Sequence, residues 1–335
     1  MIVSKFGGST TTSIKSIHNV KVLAQNKARQ IFVFSAVGKV YPEKYKLTDL
    51  LIKFFDSEDV YCKEKFFQCI KNKLTWLKNV THVKIRLGVY LNQIKKSTNK
   101  NFVVSRGEFI TSLIMSRFLN LPFVPAEKLI LFSNNELNQS LTQAKIKAAL
   151  KKYGRFCTSG FYGFNLQTHE IELFERGGGD YSGAILAKLG GAKIYENFTD
   201  VSGVKSACPE IVKTPKTIKK LSYQSMAKFG EFGSGVFQAQ ASKYLCGSRV
   251  KTVVKNIFDL KGDKTILFNG RDRAEFVGFR VDGRAKILVK TNNRKFLKKH
   301  KLAKNKTGCY FFRPTTKTYK NYINQFYNEL FSKRS

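Results

Sequence analysis

A glycine-rich segment near the middle of the chain constrains its fold more than any other feature: residues 174–183 have the sequence FERGGGDYSG. A strand-like run, 171–174, precedes the glycines, and an Ala/Leu-rich helical run, 184–189, follows them. A strand, a glycine turn and a helix let successive backbone N–H groups point at one anion, and the helix N-terminus adds partial positive charge. Arg176 and Asp180 bracket the turn with opposite charges. Taken alone, the segment fits an anion site and an ordinary strand–helix connection equally well.

A second glycine turn, at residues 5–9, favours the anion site. Lys5 ends a short apolar strand, and Gly7, Gly8 and Ser9 lead towards an amphipathic helix. A lysine at a strand end beside a Gly-Gly turn can place its ammonium on phosphate oxygens that backbone amides already hold. The turn is not a Walker-type P-loop, because the order G-x-x-x-x-G-K is absent. The chain therefore has two candidate phosphate turns.

Polar side chains also follow other predicted strands. Ser35 lies near the carboxyl end of the buried apolar run 31–38, and Thr48 begins the next predicted helix. Thr199 and Asp200 directly follow another strand-like run. In open α/β sheets, binding residues lie outside the carboxyl ends of the strands, so these positions are candidate site residues.

Glu108 is a further candidate. Residues 102–104 predict a strand, and a helix rich in apolar residues is predicted over 109–119. This arrangement places Glu108 at a strand-to-helix junction, where catalytic and binding residues of open α/β sheets tend to lie. The alternative is a glutamate in the first helical turn that only stabilises the helix dipole.

Length and charge limit the possible functions. With 335 residues the chain can bury a large core, and two domains are expected. No apolar run is long enough to cross a bilayer and the N-terminus lacks a signal-peptide pattern, so a cytoplasmic protein is expected. The formal charge of +37 attracts polyanions of any kind. Because the lysines are spread along every segment, nucleic acid is expected to bind at most non-specifically.

Cysteine and histidine spacing argues against a metal site. The six cysteines and four histidines are scattered, without C-x-x-C pairs or the spacing of zinc ligands. The sequence therefore predicts free thiols in a reducing compartment and no metal ligands from the protein.

Two regions are predicted to form separate structural units. Residues 56–100 show helical periodicity with few breakers, which predicts a helical subdomain or lid. Residues 271–335 contain two strand-like runs, a lysine-rich helix and a last helix near the C-terminus, which predicts a small α+β unit.

Four motifs, in their order and spacing, resemble those of the aspartokinases. They are KFGGS at 5–9, SRGE at 105–108, RGGGD at 176–180 and TDVSGV at 199–204. The resemblance implies the amino-acid kinase fold, an α/β fold with an open, mostly parallel sheet sandwiched by helices. It also implies that residues 1–270 form the catalytic domain and that 271–335 form a reduced ACT-like unit.

The resemblance also implies an activity. An aspartokinase transfers the γ-phosphoryl group of ATP to the β-carboxylate of L-aspartate and gives 4-phospho-L-aspartate, the first step of lysine, threonine and methionine biosynthesis. ATP and L-aspartate would be the substrates, Mg²⁺ would be held mainly through the nucleotide phosphates, and the protein would be a homodimer. Phosphoryl transfer depends on positioning and charge neutralisation, which agrees with a lysine between two glycine turns.

Roles for single residues follow from the same resemblance. Lys5 and Asp180 would be catalytic: Lys5 would neutralise the phosphoryl group in transfer, and Asp180 would orient Lys5 and the metal–phosphate complex. The substrate-binding residues would be Ser35, Thr48, Glu108 and Arg176, with Glu108 taking the α-ammonium of aspartate. The nucleotide-binding residues would be Gly7, Gly8, Ser9, Gly178, Gly179, Thr199 and Asp200.

Several positions depart from the pattern of the family. Gly179 stands where a serine is usual, Lys205 and Glu210 lie in a segment that usually has a tyrosine and Asp-Pro-Arg, and Gly235 lies in an altered helical segment. These changes are expected to weaken contacts with ATP more than contacts with aspartate. The family usually has two ACT domains, so the short 271–335 region is expected to give no response to lysine or threonine.

Two alternatives stay open. The first is a protein that keeps the fold but binds a ligand or nucleic acid without turnover, as the charge and the departures would allow. The second is another amino-acid kinase, acting on glutamate or carbamate. Glu108 and Arg176 favour an α-amino acid with a side-chain carboxylate.

Overall fold

The computed structural model describes residues 1–40, 43–175, 177–282, 284–300, 302–304, 309–315 and 318–331. The chain divides into two compact units, of which the first is Met1–Asp200 with Ile257–Leu260. The second unit comprises Val201–Asn256 and the chain from Lys261 onwards. Arg176, one of the predicted substrate-binding residues, lies outside the described residues. No helix in the described ranges is long and apolar enough to cross a membrane.

The first unit is an α/β layer structure. Its elements are β1 (Ile2–Phe6), α1 (Ile14–Ala24), β2 (Arg29–Phe34), α2 (Leu47–Asp56), α3 (Val60–Val80), α4 (Leu87–Lys96), α5 (Lys100–Phe118), β3 (Leu131–Ser133), β4 (Glu136–Leu137), α6 (Gln139–Tyr153), β5 (Phe156–Ser159), β6 (Tyr162–Asn165), β7 (Glu170–Leu173), α7 (Gly178–Gly190) and β8 (Ile194–Thr199). Strands β5, β2, β1 and β8 lie side by side in that order and are parallel. A smaller sheet has the order β4-β3-β6-β7. The predicted mixed α/β fold with an open, mostly parallel sheet is confirmed.

The parallel strands have a fully buried aromatic core. Phe6 at the end of β1 stacks on Phe34 of β2, with 5.0 Å between ring centroids, and on Phe198 of β8, with 5.1 Å. These rings lie just below the first glycine turn, which begins at Gly7. Packing of this kind fixes the strand ends and therefore the turn that follows them.

The strand predicted at 102–104 is wrong, because these residues lie in the first turns of α5. The side chain of Asn99 accepts a hydrogen bond from the Phe102 N–H and caps the helix. Residues 103–108 are all buried. A helix that is buried on every side has no polar face, so its apolar run resembles a core strand in the sequence. Glu108 therefore lies inside a helix and not at a strand-to-helix junction.

Residues 56–100, predicted as a helical subdomain or lid, contain the helices α3 and α4, and their role as a subdomain or lid stays a prediction. Asp59 caps α3 through a hydrogen bond from the Cys62 N–H. The buried residues Ile70, Leu74 and Leu77 lie three and four positions apart on one face of α3. This spacing joins the helix to the core of the first unit.

The second unit contains two groups of hydrogen-bonded strands. Its elements are β9 (Lys220–Ser222), α8 (Tyr223–Glu231), α9 (Ala239–Leu245), β10 (Lys251–Asn256), β11 (Thr265–Phe268), β12 (Phe276–Asp282), β13 (Arg284–Lys290), α10 (Arg294–Lys299), β14 (Ala303–Lys304), β15 (Tyr310–Phe312) and α11 (Tyr319–Phe331). Strand β11 is antiparallel to β10 and parallel to β9. Strands β12, β13, β15 and β14 form an antiparallel sheet in that order.

The C-terminal sheet packs tightly within this second unit. The Val277 N–H donates to the Ser206 carbonyl oxygen at 2.9 Å, and the Phe279 N–H donates to the Phe232 carbonyl oxygen at 2.8 Å. The Phe276 ring stacks on Phe229 with 4.2 Å between centroids. The described residues between 271 and 331 therefore share a core with residues of 201–256. The domain boundary placed at 270 stays a prediction.

Candidate active site

The centre of the candidate site is an ion pair between the two glycine turns. Lys5 Nζ donates to Asp180 Oδ1 at 2.6 Å, and the side chain of each residue is 11% exposed. Lys5 comes from the carboxyl end of β1, and Asp180 from the first turn of α7. An ammonium has three N–H donors, and within the described ranges only this one is used. The other two remain available to a ligand.

Asn197 also belongs to this centre, although the sequence did not identify it. Lys5 and Asn197 are direct neighbours in the register of β1 and β8, so both side chains leave the same face of the sheet. Asn197 Nδ2 donates to Asp180 Oδ1 at 2.9 Å. The amide thus orients the carboxylate that holds Lys5. The sequence offers no signal that singles out Asn197, because Lys193 and Glu196 are also polar residues of the predicted strand 193–198.

The two glycine turns present unpaired backbone donors. Within the described ranges, the N–H groups of Gly8, Ser9 and Gly179 have no intramolecular acceptor. Helix α7 begins at Gly178, earlier than the run at 184–189 indicated, so Gly179 lies in its first turn. The residue before the helix, Gly177, has a φ of 88°, a conformation that favours glycine. Helix N-termini with free N–H groups bind anions.

Close approach explains the glycine at 179. A Cβ atom there would lie 2.8 Å from Ser35 Oγ and 3.4 Å from Lys5 Cε. The hydroxyl of Ser35 therefore occupies the space beside Gly179 that a side chain would need. This contact also brings Ser35, a predicted substrate-binding residue, next to Lys5.

Glu108 supplies a buried carboxyl group to the same region. The residue is 4% exposed. Thr48 Oγ1 donates to its Oε1 at 3.4 Å, whereas its Oε2 has no hydrogen-bond partner in the part of the chain that the structure describes. Burial raises the pKa of Glu108 to about 7, and hydrogen bonds from the backbone and Thr48, together with the charge of Lys5, oppose this only in part. A buried carboxyl group with an unpartnered oxygen suits a cationic ligand.

The close packing of α5 depends on Gly107. A Cβ atom at this position would lie 3.0 Å from Leu51 Cδ1 and 3.1 Å from the Ala36 Cβ. The missing side chain lets α5 approach α2 and the loop after β2. It thereby brings Glu108 within reach of Thr48, which is the second residue of α2.

The remaining predicted residues lie at the rim or outside the described chain. Thr199 is half-buried and its Oγ1 donates to the exposed Asp200 at 3.1 Å. Thr199 is the last residue of β8 and Asp200 follows it, so both lie at the same end of the parallel strands as Lys5. Arg176 lies outside the described residues. Within the described ranges no group of three potential metal-ligating side chains occurs.

The departures at Lys205, Glu210 and Gly235 lie in the second unit. Lys205 Nζ donates to Thr217 Oγ1 at 2.7 Å. Glu210 is exposed, and a Cβ atom at Gly235 would meet open space. Lys205 is therefore held by a local hydrogen bond, whereas close packing does not constrain Glu210 or Gly235.

Taken together, the described residues of the first unit form a site with two chemical halves. Lys5 and three unpaired N–H groups can neutralise phosphate oxygens, and Glu108 can bind a cation. Such a site can hold an anionic phosphate donor beside an acceptor that has a positive group.

Comparisons with known proteins identify the family and the fold. The model of the amino acid kinase family matches residues 1–256. Aspartokinase 3 of Bacillus subtilis is 29% identical over 294 residues, which cover 81% of this chain and 64% of that protein. The bifunctional aspartokinase/homoserine dehydrogenase of Buchnera aphidicola is 23% identical over 301 residues, covering 80% of this chain and 36% of that protein. The chain thus spans less than two thirds of the length of either relative.

Two solved structures share the fold. The aspartate kinase of Clostridium acetobutylicum superposes with a TM-score of 0.82 at 20% identity, covering 98% of this chain and 100% of that chain. Aspartokinase III of E. coli, in complex with lysine and aspartate, gives a TM-score of 0.78 at 15% identity and covers 99% of both chains.

Proposed function

This chain belongs to the amino acid kinase family, and we propose that it acts as an aspartate kinase. The proposed reaction transfers the γ-phosphoryl group of ATP to the β-carboxylate of L-aspartate and gives 4-phospho-L-aspartate. The aspartokinases among its relatives support this choice of donor and acceptor.

The observation that carries the proposal is the buried carboxyl group of Glu108 beside the Lys5–Asp180 pair. Its Oε2 lacks a hydrogen-bond partner among the described residues. An α-ammonium group would donate hydrogen bonds to this oxygen, and its charge would hold Glu108 ionised near neutral pH. Glu108 therefore selects an acceptor that has an ammonium group as well as a carboxylate.

The chemistry requires two anions to meet. Lys5 would neutralise the transferring phosphoryl group with its two remaining N–H donors, and the N–H groups of Gly8 and Gly179 would hold phosphate oxygens. An oxygen of the β-carboxylate forms the new bond to phosphorus while the bond from phosphorus to the bridging oxygen of ADP breaks. The electron pair of that bond leaves with ADP. No proton transfer is needed, since the attacking carboxylate is already ionised.

The other assignments belong to the same proposal. Asp180 would orient Lys5, and Mg²⁺ would be held mainly through the nucleotide phosphates. Ser35, Thr48 and Arg176 would hold the carboxylates of aspartate. The backbone turn at Ser9 and Gly178, together with Thr199 and Asp200, would contact the nucleotide. We also propose a homodimer that acts in the cytoplasm, where ATP and aspartate are present.

A coupled assay of ADP release tests this function. The purified full-length chain is given MgATP with L-aspartate, with L-glutamate or without an acceptor, and hydroxylamine traps any acyl phosphate as a hydroxamate. We expect ADP and hydroxamate only with aspartate, and none with an Asp180→Asn variant. Turnover with glutamate but not with aspartate would contradict the proposal that aspartate is the acceptor. Binding of ATP without any turnover would favour the alternative of a binding protein.

A further inference from the structure

Lys73 of α3 is a buried lysine outside the residues assigned above. It is 4% exposed, and the neighbouring residues on its face of the helix, Ile70, Leu74 and Leu77, are fully buried apolar side chains. Its only hydrogen bond in the described part of the chain runs from Nζ to the Gly38 carbonyl oxygen, at 2.9 Å. No carboxylate of the described residues forms an ion pair with it, although the charge of Glu43 acts on it from a greater distance.

This hydrogen bond leads directly to the first glycine turn. The Gly38 N–H donates to the Gly8 carbonyl oxygen at 3.0 Å. A Cβ atom on Gly38 would lie 2.8 Å from the backbone of Gly8, and a Cβ atom on Gly8 would lie 3.2 Å from Gly38 Cα. The two loops are therefore in backbone contact, and Lys73 anchors α3 to the far side of the turn that presents the free Gly8 N–H.

The packing of α3 does not require a charge at this position. Methionine or leucine would fill the same space without desolvating an ammonium group, and a buried charge without an ion-pair partner is costly. Burial lowers the pKa of Lys73, which reflects this cost. A polyphosphate on the glycine turn would supply the missing negative charge. Because the interior screens charge weakly, the ammonium need not touch the phosphates to act on them.

We propose that Lys73 is a positioning residue of the nucleotide site: it fixes the Gly38–Gly8 contact and adds positive charge behind the phosphates. The inference rests on the proposed function, because it assigns the first glycine turn to the nucleotide. It extends the site to α3 of the helical subdomain.

Substitutions can separate the hydrogen bond from the charge. Lys73→Met removes both, Lys73→Gln keeps a donor for Gly38 without charge, and Lys73→Arg keeps both. Isothermal titration with AMP, ADP and ATP, each with Mg²⁺, measures the dissociation constants. We expect Lys73→Met to weaken ATP binding about tenfold or more, Lys73→Gln to lie between, and Lys73→Arg to stay near wild type. The loss of affinity in Lys73→Met should grow from AMP to ATP, since the charge of Lys73 acts on the phosphates.

Controls distinguish this role from simple support of the fold. Lys71→Met, at an exposed position of the same helix, should leave every dissociation constant unchanged. Gly38→Ala should reproduce the nucleotide-specific loss without altering α3. An equal loss for AMP and ATP, or unchanged ATP binding in Lys73→Met, would overturn the inference. If wild type binds tripolyphosphate in the Lys73-dependent way but phosphorylates no acceptor, the proposed function fails and the inference on Lys73 stands.

Discussion

The two faces of the β1–β8 strand pair each hold a buried ion pair, but the two pairs are built differently. On one face, Glu196 accepts from Arg29 Nε at 2.6 Å, from Arg29 Nη2 at 3.0 Å and from Ser4 Oγ at 2.9 Å. On the other face, Lys5 meets Asp180 through a single hydrogen bond of 2.6 Å. Ser4 and Lys5 are consecutive residues of β1, so the alternation of a strand separates the two pairs.

The difference lies in the number of donors that are satisfied. Both oxygens of Glu196 accept bonds, and Arg29 Nη1 also donates to the Leu23 carbonyl oxygen at 2.8 Å. Lys5 keeps two N–H donors unused within the described ranges, and the nearby Glu108 keeps one carboxyl oxygen unpartnered. A closed network stabilises the sheet, whereas an open one leaves capacity for a ligand at a cost in stability.

Breaking the closed pair should give the largest effect, and on stability alone. Arg29→Met leaves Glu196 buried without its partner, which should lower the free energy of unfolding by about 3–5 kcal/mol. Urea denaturation followed by circular dichroism measures this loss. The double variant Arg29→Met/Glu196→Leu should recover most of it. A large fall in kcat of the folded variant at unchanged stability would contradict the comparison.

Breaking the open Lys5–Asp180 pair should lower activity more than stability. Lys5→Met removes the cation that neutralises the transferring phosphoryl group, so kcat should fall about a hundredfold or more. Asp180→Asn should act in the same direction, because it releases Lys5. The urea midpoint should fall less than in Arg29→Met, because in Lys5→Met the Asn197 amide still donates to Asp180. Near-normal turnover in either one would remove the pair from the catalytic centre.

Substitution of the buried carboxyl group of Glu108 tests whether the open site binds the acceptor, aspartate. Glu108→Gln removes the charge that should hold the α-ammonium, and we expect the KM for aspartate to rise about thirtyfold, equivalent to about 2 kcal/mol. The KM for ATP should change little. If the KM for aspartate stays at the wild-type value, Glu108 serves only the packing of α5.

Asn197→Leu tests the residue that the register brings to the site. Loss of its amide removes one hydrogen bond to Asp180 and so loosens the orientation of Lys5. We expect kcat to fall about tenfold, less than in Lys5→Met, because the ion pair itself stays. Initial rates at saturating substrates measure the effect. An unchanged kcat would show that Asp180 needs no second partner.

The smallest expected effect is on stability, and its sign differs between the two buried glutamates. Burial raises the pKa of Glu108 from its ordinary value of 4.5 to about 7, so the folded state binds more protons between these pH values. Its contribution to the free energy of unfolding is therefore complete below pH 4.5 and is lost as the pH rises through about 7. At pH 8, Glu108→Gln should raise stability, while Glu196→Gln should lower it. Equal destabilisation by both at pH 8 would contradict the assignment of Glu108 to an open site.

The sequence predicted the parts of the site that depend on local chemistry. Lys5 and the turns at 7–9 and 177–180 were identified as candidates because two glycine turns, each beside a charged residue, follow predicted strands, where backbone N–H groups can bind an anion. The prediction of the amino acid kinase family is confirmed. The roles assigned to single residues stay predictions, and Arg176 lies outside the described residues.

The tertiary structure alone decided what depends on register and burial. Asn197 joins Asp180 because β1 and β8 pair in one register across almost two hundred residues of chain. Glu108 reaches the site from within helix α5. Because α5 is buried on all sides, its sequence lacks the periodicity that distinguishes a helix from a strand. Lys73 contacts the first glycine turn through Gly38, a contact that spacing along the chain cannot indicate. Turns follow from a few neighbouring residues, whereas the partners of a buried charge follow from which distant segments the core brings together.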